Sequence, residues 1–344
     1  LPDARRNAAS TGVTAATLLR ERLDALAPAL LPGAQRVRAL QRLSGGASQE
    51  LWSFELHAPE RPPTRHVLRR AAEGSALRPA GDAGLAAEAQ LMALAAAADV
   101  PVPKVELLLQ PEHGLGEGFV MQYVDGETLG HRITVSPALV GARAQLARQC
   151  GRTLARIHQL QSTALPPLRR APAAAERAHW EALHRRRGVA RPVFELALHW
   201  LKSHPVAEPQ RLCLVHGDFR NGNLVVDAGG LRAVLDWELA HLGDPMEDLA
   251  WLCLNAWRFG HIDLPVGGFG HRADLYAGYV DGGGTVNAER VHHWEVLGAL
   301  KWGLICEGRA DAFLSGAERD VEHAAVGRRA SETEIDLLEL LAAR

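Results

Sequence analysis

The 344-residue chain has no long run of like charge: 40 acidic residues face 38 lysines and arginines, interspersed throughout, for a formal net charge of −2. It therefore lacks the basic patch that nucleic-acid phosphates demand, and no nucleic-acid partner is expected. Long apolar runs are missing too, since every hydrophobic stretch is short or broken by charge, so no membrane span is expected. The opening LPDARRNAAS has no apolar signal core, which points away from secretion and towards the cytoplasm. Residue 1 is leucine rather than methionine, which leaves room for a longer natural chain. Cysteine is scarce: Cys150, Cys213, Cys253 and Cys306 are widely spaced with no C-x-x-C pair, which argues against a disulfide framework or a zinc site and for reduced core thiols. No internal repeat is present.

What remains is an ordinary soluble composition, 47% hydrophobic and 23% charged, in a chain long enough for two lobes. Leu19, Leu23, Leu26 and Leu30 recur at helical spacing, which predicts an amphipathic helix over 14–31 ending near Pro32 and Gly33. Arg36 to Leu43, a turn-like SGGAS, and ELWSFEL with its strict alternation read as a β-hairpin. HVLRR is a third strand, and an Ala-rich helix from about Gly84 to Ala98 stops before Pro101-Val102-Pro103. VELLLQ and FVMQYV add two strands, so the order is β-β-β-α-β-β before Gly126 begins a helix-rich pattern. Within that pattern, strand signal returns only at RLCLV, NLVV and AVLDW. The expected fold class is α+β, with a sheet-rich lobe over 1–125 and a larger, mostly helical lobe over 126–344.

Chemistry concentrates in Leu214 to Glu238, where polar groups sit at the ends of short apolar strands. Asp218 and Asn223 share one loop, five residues apart, and Asp236 ends a strand beyond the Asp227–Gly230 turn. Phosphoryl transfer needs a carboxylate in reach of the acceptor hydroxyl and a divalent cation to neutralise charge on the phosphate oxygens. Asp218 suits the first need; Asn223 and Asp236 are hard oxygen ligands suited to magnesium. Taken singly, each residue admits a plain structural role: Asp218 capping a turn, Asn223 starting a strand, Asp236 capping a helix. His216 is read as orienting the loop rather than ligating metal.

HGDFRNGN resembles the catalytic loop of the aminoglycoside-phosphotransferase-like kinases, H-G-D-x-x-x-x-N, and LDWE resembles their metal-binding strand end. The resemblance implies a bilobal protein-kinase-like fold using ATP and Mg, with Asp218 as catalytic base, Asn223 and Asp236 on the metal, and Arg220 touching the transferred phosphate. Such a kinase needs a cation on the third strand and an acid on the following helix. Alternation on HVLRR puts Val67, which would cover adenine, on one face with Arg69, which would reach phosphate, and Glu88 is available as helix partner. Many relatives carry lysine there; arginine retains charge and bidentate reach but not lysine's geometry. Ser44, Gly45, Gly46 and Ser48 form a short glycine turn that either brings backbone N–H groups to phosphate or merely closes a hairpin. FVMQYV resembles the hinge between kinase lobes: Met121 would border adenine, and the Gln122 carbonyl and Val124 N–H, flanking Tyr123, would hydrogen-bond it.

From about residue 38 to the end, the resemblance is closest to the phosphotransferase group that includes the N-terminal kinase domain of certain acyl-CoA dehydrogenases. It is borne by LSGGAS, HVLRR, DVPVPKV, FVMQYVDG, HGDFRNGN, LDWELAHLGDPMEDLAWL, LKWG and GRRASETEIDLLELL. It implies a kinase of hydroxyl-bearing small molecules, hydroxyacyl thioesters or hydroxy acids among them, with Asp248 accepting backbone N–H bonds from the catalytic loop. An aminoglycoside or sugar kinase, a pseudokinase-like nucleotide-binding regulatory module, and a hydrolase with metal on His216, Asp218 and Asp236 are the alternatives. The C-terminal third mixes Glu332, Glu334 and Asp336 with Lys301, Arg309, Arg328 and Arg329, so it does not select the sign of the substrate. Trp294, Trp302 and Phe313 are read as packing aromatics, Asp244 as a helix cap, and the assembly as a monomer or homodimer.

Overall fold

The computed structural model describes residues 6–43, 49–72, 83–161 and 163–342. The chain divides into two compact units, 1–96 with 102–124, and 97–101 with 125–344.

The first unit opens with helix α1 (Arg6–Leu30), then strands β1 (Val37–Leu43), β2 (Gln49–Leu56) and β3 (Thr64–Ala71), helix α2 (Leu85–Ala97), and strands β4 (Val105–Leu108) and β5 (Gly118–Gln122). They form one antiparallel sheet in the order β1-β2-β3-β5-β4. The period-two pattern decides what each face does. Phe54, Leu56, Leu68 and Val120 turn to one side and form a core with Leu19, Leu23 and Leu26 of α1. Val67 and Arg69, offset by one from Leu68, turn the other way, directly opposite Met121 and Phe119 of β5.

The second unit carries helices α3 (Gly130–Val135) and α4 (Val140–His158), strand β6 (Arg170–Ala171), helices α5 (Ala173–Arg187) and α6 (Pro192–Ser203), and strands β7 (Cys213–Val215), β8 (Leu224–Asp227), β9 (Gly230–Val234) and β10 (His241–Gly243). Helices α7 (Met246–Leu252), α8 (Arg272–Asp281), α9 (Ala288–Leu314), α10 (Val321–Gly327) and α11 (Ala330–Ala342) follow. Helices α4 and α8 approach closely because Gly151 and Gly278 lack side chains; a Cβ on either would lie 2.0 Å from a carbonyl of the other helix. Strands β8 and β9 form a hairpin, and β10 pairs antiparallel with β7 and parallel with β6. Residues 97–101 join this unit through the Pro101 carbonyl, bonded by Val234 N–H at 2.8 Å, and the Asp99 carbonyl, bonded by Arg156 at 2.6 Å. The Pro-Val-Pro segment marked a helix end in the sequence; these bonds show which unit the turn belongs to. All four cysteines are buried and free, and among the described residues no helix is long and apolar enough to cross a membrane.

Candidate active site

Strand β7 delivers the chain into a loop over 216–223, which leads into the β8–β9 hairpin; β10 then returns to pair with β7. This closed path brings the end of β9 beside the loop. Leu224 is opposite Val234, and the Leu235 N–H donates to the Asn223 carbonyl at 2.8 Å, so Asp236 and Asn223 belong to adjacent, bonded segments. Asp236 has φ +65°, a left-handed conformation uncommon for a non-glycine residue; such strain gathers at functional sites.

The loop is held from within the core. Asp248, fully buried on α7, accepts the His216 N–H at 2.8 Å and the Gly217 N–H at 2.9 Å. Its Oδ2 also lies 3.1 Å from His158 Nε2, and Nδ1 of that ring is 2.8 Å from the Tyr279 hydroxyl. Burial alone would raise the Asp248 carboxyl, but the hydrogen bond and charge of His158 and the loop's N–H donors outweigh it and hold the group below its ordinary value. Gly217 has φ +82°, and a Cβ there would lie 2.5 Å from the Leu239 carbonyl oxygen, so only glycine makes this turn without displacement. The buried His216 ring spans the two segments: Nδ1 accepts the Asp218 N–H at 3.3 Å and Nε2–H donates to the Leu235 carbonyl at 3.1 Å. Burial pushes this imidazole below its usual range, which keeps it neutral. With both ring nitrogens engaged, His216 orients the loop and offers no lone pair to a metal.

Asp218 is 15% exposed and takes three side-chain donors. Oδ1 accepts Arg220 Nε at 3.0 Å and Trp251 Nε1 at 2.8 Å, while Oδ2 accepts Asn223 Nδ2 at 2.7 Å. A carboxylate has about four lone-pair positions, so one remains, on Oδ2. Asn223 Nδ2 also donates to the Asp218 carbonyl at 2.9 Å. Both amide hydrogens are thus engaged, and the amide oxygen is the atom that could ligate a metal. Among the described residues no group of three or more His, Cys, Asp or Glu could hold a metal ion. An amide oxygen and one carboxylate fit magnesium, which completes its shell with water and phosphate oxygens, and do not fit zinc. Arg220 also stacks its guanidinium 4.5 Å from the Trp257 ring centroid. Asn221 anchors the loop by donating to the carbonyls of Trp257 at 3.0 Å and Gly267 at 2.7 Å.

In the first unit, Arg69 and Glu88 form an ion pair at 3.0 Å with side chains 9% and 2% exposed. The sheet places Val67 and Met121, both buried, as direct cross-strand neighbours. Gln122 ends β5, Tyr123 carries the Arg65 guanidinium 3.6 Å from its ring centroid, and Val124 closes the unit. Ser44, Gly45, Gly46 and Ser48 lie outside the described residues.

Sequence reasoning missed Trp251, Trp257, Asn221 and His158. Trp251 alone had a signal: it follows Asp248 by three residues on α7 and so shares its face. Asp244 accepts the Met246 N–H at 3.0 Å at the start of α7 and pairs with Arg290 of α9. Trp302 lies against Trp257, ring centroids 4.8 Å apart, in an aromatic cluster that also holds Trp251.

Among curated proteins, the chain is 34% identical over 200 residues to mouse acyl-CoA dehydrogenase family member 10, a match covering 55% of this chain and 18% of that protein. The matched segment is thus less than a fifth of the relative's length. Among solved structures, a putative aminoglycoside phosphotransferase of Ralstonia eutropha superposes with a TM-score of 0.72 at 21% identity, covering 93% of this chain and 97% of that one. A thermostable aminoglycoside phosphotransferase mutant, solved with AMP-PNP and hygromycin B, superposes at 0.61 with 17% identity, covering 90% and 96%. These likenesses show a bilobal, protein-kinase-like α+β fold. The phosphotransferase enzyme family model matches residues 39–282, most of the chain, and the protein belongs to that family.

Proposed function

We propose that the protein transfers the γ-phosphoryl group of ATP to a hydroxyl of a small molecule, with magnesium as the metal. The carrying observation is the Asp218 carboxylate, oriented by three donors that leave one acceptor position on Oδ2. A hydroxyl there gives its proton to Oδ2 while its oxygen bonds to the γ-phosphorus. The bond from that phosphorus to the β–γ bridging oxygen breaks, and ADP departs with the electron pair. Magnesium on the Asn223 amide oxygen and the Asp236 carboxylate would neutralise charge on the phosphate oxygens. Arg220, its Nε engaged by Asp218 and its Nη1 by the Asn221 carbonyl, is the cation that would meet the transferred group through the remaining N–H donors. In the first unit, Val67 and Met121 border adenine, Gln122, Tyr123 and Val124 hydrogen-bond or flank it, and Arg69, steadied by Glu88, meets phosphate.

The acceptor is a hydroxyacyl thioester or hydroxy acid, a reading supported by the likeness to an acyl-CoA dehydrogenase family member. An aminoglycoside or sugar acceptor is the second reading, supported by the structural neighbour solved with hygromycin B. The Arg69–Glu88 pair weighs against an inactive regulatory module, because it supplies the oriented cation that transfer needs. Asp218→Asn is expected to leave nucleotide binding intact and lower turnover at least ~100-fold; unchanged turnover removes Asp218 from the mechanism. Hydroxyacyl thioesters, hydroxy acids, sugars and aminoglycosides, each incubated with ATP and magnesium and read by product mass, decide the acceptor. A product from aminoglycosides alone overturns the acyl assignment.

A further inference from the structure

The indole N–H on Asp218 Oδ1 comes from a side chain that is itself held on a cation. Trp251, 4% exposed, has the Lys301 ammonium 4.7 Å from its ring centroid. Lys301 of α9 is only 8% exposed, an uncommon burial for a lysine, and lies 5.9 Å from the ring centroid of a second indole, Trp180. Its counter-charge is Glu247, with Oε1 at 3.6 Å; Glu247 stands one helical turn before Trp251 on α7, and its Oε2 is 3.1 Å from the buried His241. Ammonium, indole and carboxylate thus form a chain from α9 through α7 to the catalytic loop. A cation on the face of an indole draws π density towards itself and makes the ring N–H a stronger donor, more so in a site shielded from water.

We infer that Lys301 and Trp251 form a positioning device for the base: the lysine-polarised indole N–H occupies Oδ1 of Asp218, so that the substrate proton is received at Oδ2. This rests on the reading of Asp218 as base. Neither residue is assigned a contact with substrate, so the pair acts on the chemical step and leaves nucleotide affinity alone. Lys301 works only through the indole, which makes the two residues one unit.

The test uses the full chain with ATP and magnesium, water as acceptor and ADP as product. Trp251→Phe is expected to lower kcat about 10-fold or more, the loss of a hydrogen bond to a charged group, and Lys301→Met, which keeps that bond but removes the cation from the ring, to lower it about 3-fold or more, each with KM for ATP within about twofold. The double variant falls no further than Trp251→Phe, because the lysine has no route to Asp218 without the indole. Lys301→Arg, which keeps a cation over the ring, recovers most of kcat. A second readout needs no turnover: the indole N–H resonance that disappears in Trp251→Phe moves in both Lys301→Met and Asp218→Asn, while that of Trp52, bonded to Glu50, stays in place.

Full kcat in Trp251→Phe, additive losses in the double variant, or a Trp251 resonance indifferent to Lys301→Met overturns the device. Failure of the underlying reading looks different: Asp218→Asn would then keep producing ADP. If Lys301→Met does not fold, Trp251→Phe, Lys301→Arg and the response of the resonance to Asp218→Asn still decide the matter.

Discussion

Replacing Asp248 with asparagine tests whether one buried carboxylate holds the loop over 216–223. Its oxygens receive two backbone N–H groups and face His158 Nε2, in a side chain with no solvent exposure. An amide oxygen at the Oδ1 position still accepts from Gly217, but the amide nitrogen then meets the His216 N–H, donor against donor. A buried N–H loses a charged acceptor, which costs about 1.5–3 kcal/mol, and the surviving bond to Gly217 drops from charge-assisted to neutral. We expect a loss of roughly 3 kcal/mol in unfolding free energy at pH 7, about 6–12 °C in Tm for a unit of this size. The pH dependence has a definite sign. Because the folded carboxyl lies below its ordinary value of 3.8, its stabilisation is fully present above that value and is lost as pH falls through the lower folded value. The stability gap between wild type and Asp248→Asn should be constant from neutral pH down to about pH 5 and close below about pH 4. Urea denaturation across that range is the measurement. A gap under about 1 kcal/mol at pH 7, or one that persists unchanged at low pH, refutes the assignment.

Other expectations follow from the same geometry. Gly217→Ala must move either the loop or the Leu239 carbonyl and lose the preferred backbone conformation; we expect about 1–3 kcal/mol of destabilisation by chemical denaturation with turnover depressed, and a neutral effect refutes the close approach. Glu88→Ala leaves the Arg69 guanidinium buried without its partner, so stability should fall by about 3 kcal/mol and ATP affinity with it; a nucleotide titration matching wild type refutes the steering role. Burial pushes the thiols of Cys253 and Cys306 up to about 12 and raises those of Cys150 and Cys213 as well. An aromatic disulfide reagent at pH 8 should therefore find no fast thiol in the folded protein and four in denaturant; one fast-reacting thiol in the native state refutes this burial.

The order β-β-β-α-β-β was legible because alternation and helical spacing are local signals, and Phe54, Leu56 and Leu68 do turn towards the leucines of the first helix. Its boundary was displaced: α1 starts at Arg6, well before residue 14, because an alanine- and threonine-bearing segment carries little periodic signal. Strands β6 and β10 were missed, being two and three residues long and identifiable only by their pairing with each other and with β7. The loop bearing Asp218 and Asn223 was legible from residue types and spacing within HGDFRNGN, with Asp236 behind it.

Sequence alone singled out the oxygen-bearing groups proposed as base and metal ligands, because residue type and short spacing are local properties. Tertiary structure decided how the Asp218 carboxylate is oriented. Trp251 lies 33 residues from Asp218 and Lys301 lies 50 further on, separations that carry no local pattern. Hydrogen bonds and charge act through space, over a few ångströms, so only the packing of α7 against the loop could add the Trp251 indole to Arg220 on Oδ1, while Oδ2, bonded by Asn223, keeps one acceptor position.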